Sequence, residues 1–241
     1  MTAQARAADP SGQSPRIVRL LPIRASGAGR VCADFLPGIG VKEASMNLIE
    51  TSTVADGDLP VAAFRAHLRL GAGFADEASA DTLLVQYLRA AMAAIEARTG
   101  KALMARDFRM TLQCWRWADA QALPVAPVSA VASVTLRDVA GTPTVADAGQ
   151  WRLVEDMHRP QILATGAVLP AVPTKGSVDV DFTAGFGILW DAVPDDLRQA
   201  VMLLAAQFYE QRSDGKAGFP VAVDALIARW KPVRLTAGGY R

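Results

Sequence analysis

Residues 79–100, SADTLLVQYLRAAMAAIEARTG, decide the fold of this chain. Apolar side chains recur along the stretch at steps of three and four residues: Leu84, Tyr87, Leu88, Ala91 and Ile95. This spacing is typical of an amphipathic helix that lays one broad face on a core. Ser79 or Asp81 is suited to cap its first turn, and Gly100 stands where a residue in the left-handed conformation ends a helix.

The opposite face of this predicted helix carries little charge for a surface helix. Its members are Thr82, Gln86, Arg89, Ala90, Ala93, Glu96 and Ala97. In one interpretation, the small side chains allow a second backbone to approach closely. In the other, alanine is present only because it is the best helix former. The sequence leaves both interpretations open.

The spacing of the apolar residues changes after this helix. From Phe108 onward the alternation has a step of two, which predicts half-buried strands. The clearest strand covers residues 177–183 and points three residues inward: Val178, Val180 and Phe182. Two shorter strands are predicted around Trp151 and Ile162. About five strands follow one another without an intervening helix, so the sheet should be antiparallel.

Helical signals lie on both sides of this β region. Asp58 and Pro60 predict the start of a short helix that ends at Gly71. Pro194 predicts the start of a long helix that is apolar nearly all round, and a last short helix is stopped by Pro232. The sequence therefore predicts an α+β protein, in which an antiparallel β elaboration is inserted between the second and third of about four helices.

Five segments follow from this order. Residues 46–101 and 190–232 form a helical domain, and residues 102–189 form an inserted β domain. Residues 233–241 form a C-terminal tail. Residues 1–45 are broken by proline and glycine and hold six Lys and Arg against three Asp and Glu. They are expected to be a flexible extension, or a segment upstream of a natural start at Met46.

Composition excludes several classes of protein. The chain has 241 residues, of which 51% are hydrophobic and 20% charged, and its formal net charge is +1. These values describe a folded globular protein with no overall attraction to nucleic acid or anionic membranes. No apolar run approaches the roughly 20 residues that a spanning helix needs. Cys32 and Cys114 lie far apart, without a histidine at ligand spacing, which argues against a disulfide framework and a zinc site.

No catalytic, metal-binding or cofactor-binding group of residues is predicted. His67 and His158 are accompanied by no serine or cysteine nucleophile motif. Carboxylate pairs can hold metal ions. The two pairs here are explained by the outward face of a strand and the positive end of a helix: Asp179 with Asp181, and Asp195 with Asp196.

One aromatic segment has two interpretations. Trp115, Arg116 and Trp117 are consecutive and resemble a platform on which bases stack. A strand or turn edge that is anchored in a core or an interface explains them equally well.

Taken in order, these segments resemble the head–tail connector (adaptor) family of tailed bacteriophages, which includes the connectors of phage-like gene transfer agents. No single motif carries the resemblance, which covers about residues 48–234 and depends on order and spacing. The matching stretches are Ile95-Glu96 with Thr99-Gly100-Lys101-Ala102-Leu103, Leu123-Pro124 and Pro127-Val128 ahead of Val131, Ser133 and Val134, Phe182-Thr183-Ala184-Gly185-Phe186-Gly187 ahead of Pro194, Tyr209-Glu210-Gln211-Arg212, and Val223-Asp224-Ala225-Leu226-Ile227. Residues 1–45 depart from the family, whose members usually start near the position of Met46.

The resemblance implies a structural protein and not an enzyme. Such connectors form a ring, usually a dodecamer, in the neck of a virion or phage-like particle that assembles in the bacterial cytoplasm. The ring docks under the portal protein, extends the channel for passing double-stranded DNA and carries the tail-side stopper or terminator protein. In this family the helices form the ring body, and no cofactor or membrane is implied.

Ring and portal contacts are predicted on the alanine face of residues 82–97, on part of residues 201–208 and on the tail. The residues singled out are Arg89, Ala90, Ala93, Glu96, Ala97, Gln207, Arg229, Trp230, Arg234 and Arg241. Two other functions remain open. The chain is a different neck or tail component, such as a stopper or tail terminator, or it is a DNA-binding module without sequence specificity that uses residues 115–117 and the basic extension.

Overall fold

A computed structural model of the chain describes residues 17–18, 46–70, 77–211 and 219–232, without the side chains of residues 17–18 and 77–80. The helices in these ranges are α1 Val61–His67, α2 Glu77–Thr99, α3 Asp195–Glu210 and α4 Val221–Leu226. The strands are β1 Ile17–Val18, β2 Met46–Glu50, β3 Arg106–Leu112, β4 Ala120–Ala122, β5 Val128–Arg137, β6 Pro143–Val145, β7 Trp151–Val154, β8 Gln161–Ala164 and β9 Ser177–Ala184. The α+β class, with the β elaboration between the second and third helices, is confirmed.

The helices form a bundle around α2 and α3, which pack on each other. The predicted apolar stripe of α2 is buried at Leu84, Leu88, Ala91 and Ile95, and Gly100 (φ +66°) ends the helix as expected. α3 is buried on more than one side: Leu197, Ala200, Val201, Met202, Leu204 and Ala205. α2 has 23 residues, but no helix in the described ranges is apolar enough over its length to cross a membrane.

The strands form two antiparallel sheets. The larger sheet has six strands in the order β1-β2-β3-β9-β5-β6, and the smaller has three in the order β4-β8-β7. Their shared core includes Phe108 and Phe182, whose rings stack with centroids 5.6 Å apart. The prediction of one sheet of about five strands is wrong. β4 and β6 were missed because each has three residues, too few to show an alternation, and β6 is exposed throughout.

Two strands lie near the predicted boundaries of the helical domain. β2 pairs along its whole length with β3, so its five residues are part of the larger sheet. Within the extension, Ile17 and Val18 pair with Ile49 and Leu48 and form an edge strand where none was predicted. A strand of two residues shows no periodicity and is recognised only by its backbone partner. The rest of residues 1–45 lies outside the described residues.

The cysteine prediction also fails in part. Cys114, which follows β3, is disulfide-bonded, so the expectation of no disulfide is wrong. Distance along the sequence is a poor guide to distance in space once strands pair. No group of three or more possible metal ligands occurs among the described residues.

Gly185 joins the sheet to the bundle. It follows β9 with a φ of +138°, and a Cβ atom there would lie 2.4 Å from the backbone N and Cα of Ala105. Its N–H donates to the carbonyl of Pro127 (2.9 Å), and the next N–H, of Phe186, donates to that of Leu103 (3.3 Å). The chain leaving β9 is therefore pressed against the segment that follows α2, and only glycine fits there.

Replacing Gly185 with alanine is expected to lower the free energy of unfolding by at least about 2 kcal/mol, because the new Cβ meets backbone and the φ is strained. Urea unfolding of the purified chain measures this. Gly57→Ala is the matched control, since a Cβ at Gly57 meets nothing within 4 Å. Equal stability of the two variants would contradict the account of this junction.

Candidate assembly interface

The predicted face of α2 is exposed where its side chains are small. Ala90, Ala93 and Ala97 are all exposed on one side of the helix, as are Thr82 and Gln86. The buried stripe lies on the other side. The structure thus brings three of the predicted interface residues together on one surface that carries no charge of its own.

Arg89 and Glu96, which were predicted on the same face, are half-buried and paired within the chain. Arg89 Nε donates to Asp56 Oδ1 (3.0 Å), and its Nη2 donates to the carbonyl of Val54 (2.7 Å). Glu96 Oε1 accepts from the N–H of Leu103 (2.8 Å). Both side chains therefore hold segments of their own subunit, and an interface role for them stays a prediction.

Arg106 is the partner of Glu96 and was missed by the sequence analysis. Its Nη2 donates to Glu96 Oε2 (2.7 Å) and to Glu50 Oε1 (2.9 Å), so one guanidinium joins α2, β2 and β3. The side chain is only 9% exposed. Burial alone would lower the pKa of Arg106, but attraction and hydrogen bonds from Glu96 and Glu50 raise it above the ordinary value. This arginine is always charged, and its two ion pairs connect the helical bundle to the larger sheet.

The residues predicted on α3 and beyond α4 differ in exposure and in their partners within the chain. Gln207 is half-buried, and its Nε2 donates to Gln211 Oε1 (3.1 Å). Trp230 is 7% exposed, and its indole N–H donates to Asp196 Oδ2 (2.7 Å). Arg229 is exposed, with its guanidinium 4.6 Å from the centroid of the Trp230 ring. Most of the Trp230 side chain is therefore buried in the core, and of the two residues only Arg229 is exposed.

The last turn of α2 lies beside α4. Arg98 Nη1 donates a hydrogen bond to Asp224 Oδ1 (3.1 Å), and the same oxygen accepts one from Lys231 Nζ (2.9 Å). The hydrogen bond from Lys231 lowers the pKa of Asp224 below its usual value. Arg234 and Arg241, the remaining predicted contacts, lie outside the described residues.

Asp179 and Asp181 were predicted on the outward face of β9, but Asp179 is only 4% exposed, and cross-strand partners hold both carboxylates. Asp179 accepts from Arg137 Nε (2.6 Å) and from the hydroxyl of Thr111 (2.7 Å). Arg109 makes a bidentate contact with Asp181, in which Nε donates to Oδ1 (2.7 Å) and Nη2 donates to Oδ2 (3.1 Å). The hydrogen bond to Asp181 raises the pKa of Arg109. These cross-strand pairs neutralise both carboxylates, including the buried one of Asp179.

The aromatic segment does not form a double stacking platform. Trp115 is 7% exposed, and its indole N–H donates to the carbonyl of Pro170 (2.7 Å). Trp117 is 40% exposed and Arg116 is exposed. One indole remains for contact with a partner, so the core-anchored interpretation fits better than stacking on two bases.

Lys101 is a buried lysine that was noted only as part of a motif. It is 2% exposed, and its ammonium group donates to the carbonyl of Met157 and lies 3.3 Å from His158 Nδ1. Burial lowers the pKa of Lys101, and the nearby charge of Asp156 partly offsets this. The ammonium group thus ties the loop between β7 and β8 to the end of α2.

Lys101→Met is expected to speed amide exchange in residues 155–160 by about tenfold or more, because the loop loses its anchor. The free energy of unfolding should change by less than about 1 kcal/mol, since the methionine fills the same space and Met157 can bond to water. Hydrogen–deuterium exchange measures the first quantity. His158→Ala, which keeps the bond to Met157, is the control. Unchanged exchange in the lysine variant would rule out the anchor.

Clefts lie at an end of the larger sheet and beside α4. One of 260 Å³ lies at the end of the larger sheet, and its lining includes Asp138, Lys175 and Ser177. The other, of 490 Å³, lies between the end of α2 and α4. The described lining of neither cleft contains a histidine or a cysteine.

The structure matches chains from the necks of gene transfer agent particles. A chain in the neck of an empty particle, determined with C6 symmetry, is 57% identical over 79% of this chain and 98% of its own length, with a TM-score of 0.74. A chain in the neck of a native particle, determined with C12 symmetry, is 54% identical over the same shares, with a TM-score of 0.70. A third, from the virion of a native particle, is 57% identical over the same shares, with a TM-score of 0.71.

No family model matches this sequence, and no curated protein matches it. The fold and the matched chains define the class as a structural protein of phage-like particles. At this level of identity, over almost the full length of the matched chains, the chain belongs to the head–tail connector family of tailed bacteriophages and gene transfer agents.

Proposed function

We propose that this chain is a head–tail connector subunit that acts by shape and catalyses no reaction. Copies of it form a ring beneath the portal in the neck of a phage-like particle. The observation that carries the proposal is the 57% identity over 98% of a chain in the neck of a gene transfer agent particle. The dodecameric ring is proposed because a related neck was determined with C12 symmetry.

The exposed surfaces support a ring in which each subunit meets two neighbours. A closed ring is built from heterologous contacts, so each subunit needs two different surfaces. The alanine face of α2, with Ala90, Ala93 and Ala97, supplies one of them. On α3, the buried positions of residues 201–208 are taken up by the bundle, so only its half-buried residues can contribute: Leu203, Ala206, Gln207 and Phe208.

The ring extends the channel through which double-stranded DNA passes, and it offers a platform to the tail-side protein. DNA that passes through the channel must not bind tightly to its wall. The net charge of +1 and the arginines already held by carboxylates suit weak contact with phosphates, as at Arg106, Arg109 and Arg137. A DNA-binding module would instead show an affinity for free DNA that falls steeply with salt.

Residues 233–241, with Arg234 and Arg241, dock on the portal or on a neighbouring subunit in this proposal. Deleting them is expected to stop particle completion while the bundle still folds, because helices α1 to α4, which form the core of the bundle, all precede residue 233. Electron microscopy of the particles and circular dichroism of the purified variant measure the two effects. Unimpaired completion of particles would remove the docking role of the tail.

A deletion of the whole gene tests the proposed function. Cells without the protein are expected to accumulate DNA-filled heads and separate tails, and purified protein added to these extracts should restore joined particles. Normal joined particles in the deletion strain would contradict the proposal. A stopper would give a similar deletion result, and its different position along the neck separates it from a connector.

A further inference from the structure

Two large aliphatic residues that are consecutive in the sequence are both exposed between β9 and α3. Ile188 is 73% exposed and Leu189 is 68% exposed. Elsewhere in the described ranges, exposed large hydrophobic residues occur singly along the chain, as Val145 and Val221 do. Single exposed apolar residues are ordinary, whereas two consecutive ones expose more apolar surface at one place in the chain and make that place a candidate contact site. We call Ile188 and Leu189 the apolar knob.

The apolar knob is held in place by its flanking residues. Before it, the carbonyl of Gly187 accepts from the N–H of Ala105 (2.8 Å), and the ring of Phe186 meets that of Trp230 edge-on at 5.3 Å. After it, the carbonyl of Leu189 accepts from the N–H of Ala192 (3.1 Å). A loop fixed at both ends loses little conformational entropy when a partner binds, so the knob is preorganised for docking.

The charges beside the knob limit what can cover it. Asp191 and Asp195 have side chains that are 88% and 91% exposed, and both pair with the single cation of Arg198. This leaves an excess of one negative charge next to the knob. DNA phosphates would be repelled there. Two knobs meeting face to face would bring four of these carboxylates together, which disfavours a twofold contact.

We propose that the apolar knob packs against an unlike surface of the next copy of this chain in the ring. This inference rests on the proposed ring function and adds to it one of the two unlike surfaces of the subunit contact. The matched neck chains come from particles determined with C6 and C12 symmetry, in which each copy has a neighbour on either side. A protruding apolar patch with a charged rim has the composition of the centre of such a contact.

Photo-crosslinking in assembled particles tests the proposal. A photoreactive amino acid is placed at residue 188, at residue 145 as an equally exposed apolar control, and at residue 93 as a probe of the proposed ring. Residue 188 is expected to give dimers and higher multiples of this chain, in at least about fivefold higher yield than residue 145. Crosslinks to another protein, no crosslinks, or equal yields from positions 188 and 145 would overturn the proposal.

The probe at residue 93 distinguishes a failure of the apolar knob proposal from a failure of the proposed ring function. If position 93 yields multiples of the chain and position 188 does not, the ring stands and the role of the knob fails. If the particles contain no copies of the chain, the proposed function itself fails. As a second measurement, Ile188→Asp with Leu189→Asp should lower ring yield about tenfold or more relative to Val145→Asp. An unchanged ring yield would count against the knob.

Discussion

Ala93→Arg is expected to abolish assembly of the ring while the subunit remains folded. Ala93 is exposed on α2, and Ala90 and Ala97 are exposed beside it, so an arginine adds bulk and charge where a neighbour is proposed to approach closely. Its side chain can point into solvent in the isolated subunit. In the assembled ring it would have to be buried without a partner, and burying an unpaired charge is costly.

Native mass spectrometry and electron microscopy of necks measure assembly, and thermal unfolding measures the fold. Ala63→Arg on α1 is the matched control, because Ala63 is also an exposed helical alanine but lies outside the predicted contact. The control should assemble normally. Normal rings from Ala93→Arg, with the same yield as the control, would show that this face of α2 is not a contact surface.

Arg106→Leu is expected to lower the free energy of unfolding by about 3–5 kcal/mol, because removing one partner of a buried ion pair leaves uncompensated charge. Glu96 and Glu50 would remain close together beside the β2 and β3 strands without their cation. Urea unfolding measures the loss. The loss should be much smaller for Arg198→Leu, since the partners of Arg198 are exposed carboxylates.

A double replacement distinguishes the effect of the ion pairs of Arg106 on stability from the effect of its packing. Arg106→Leu combined with Glu96→Leu leaves one carboxylate without its cation, that of Glu50, instead of two, so the double variant should be more stable than the sum of the single losses predicts. Strictly additive losses would show that Arg106 acts by filling space and not by holding two carboxylates.

The periodic elements were predictable and the short ones were not. α2, α3 and β9 repeat their apolar residues over several turns or pleats, so the spacing along the sequence indicates which of these residues are buried. β1, β4 and β6 have two or three residues each and exist because a partner strand lies beside them. Such strands depend on contacts between residues distant in sequence, which spacing along the chain does not reveal.

For the predicted interface residues, too, spacing along the sequence does not reveal contacts with distant residues. Helical spacing places Glu96 on the polar face of α2, which is correct. It does not reveal that the chain reverses at Gly100 and returns Arg106 to pair with that carboxylate. Trp230 likewise follows an exposed arginine in sequence, while its indole is held by Asp196 on α3. Ala93 is exposed on the side of α2 opposite the apolar stripe, as helical spacing predicts, and its role in an interface stays a prediction.

A density map of the neck of the purified particle, with this chain traced in it, tests the central claim most directly. The account predicts a closed ring of twelve copies between the portal and the tail, around an open channel, with the alanine face of α2 within the contacts between subunits. A single copy, a location away from the junction of head and tail, or a ring whose α2 faces all point to solvent would contradict it.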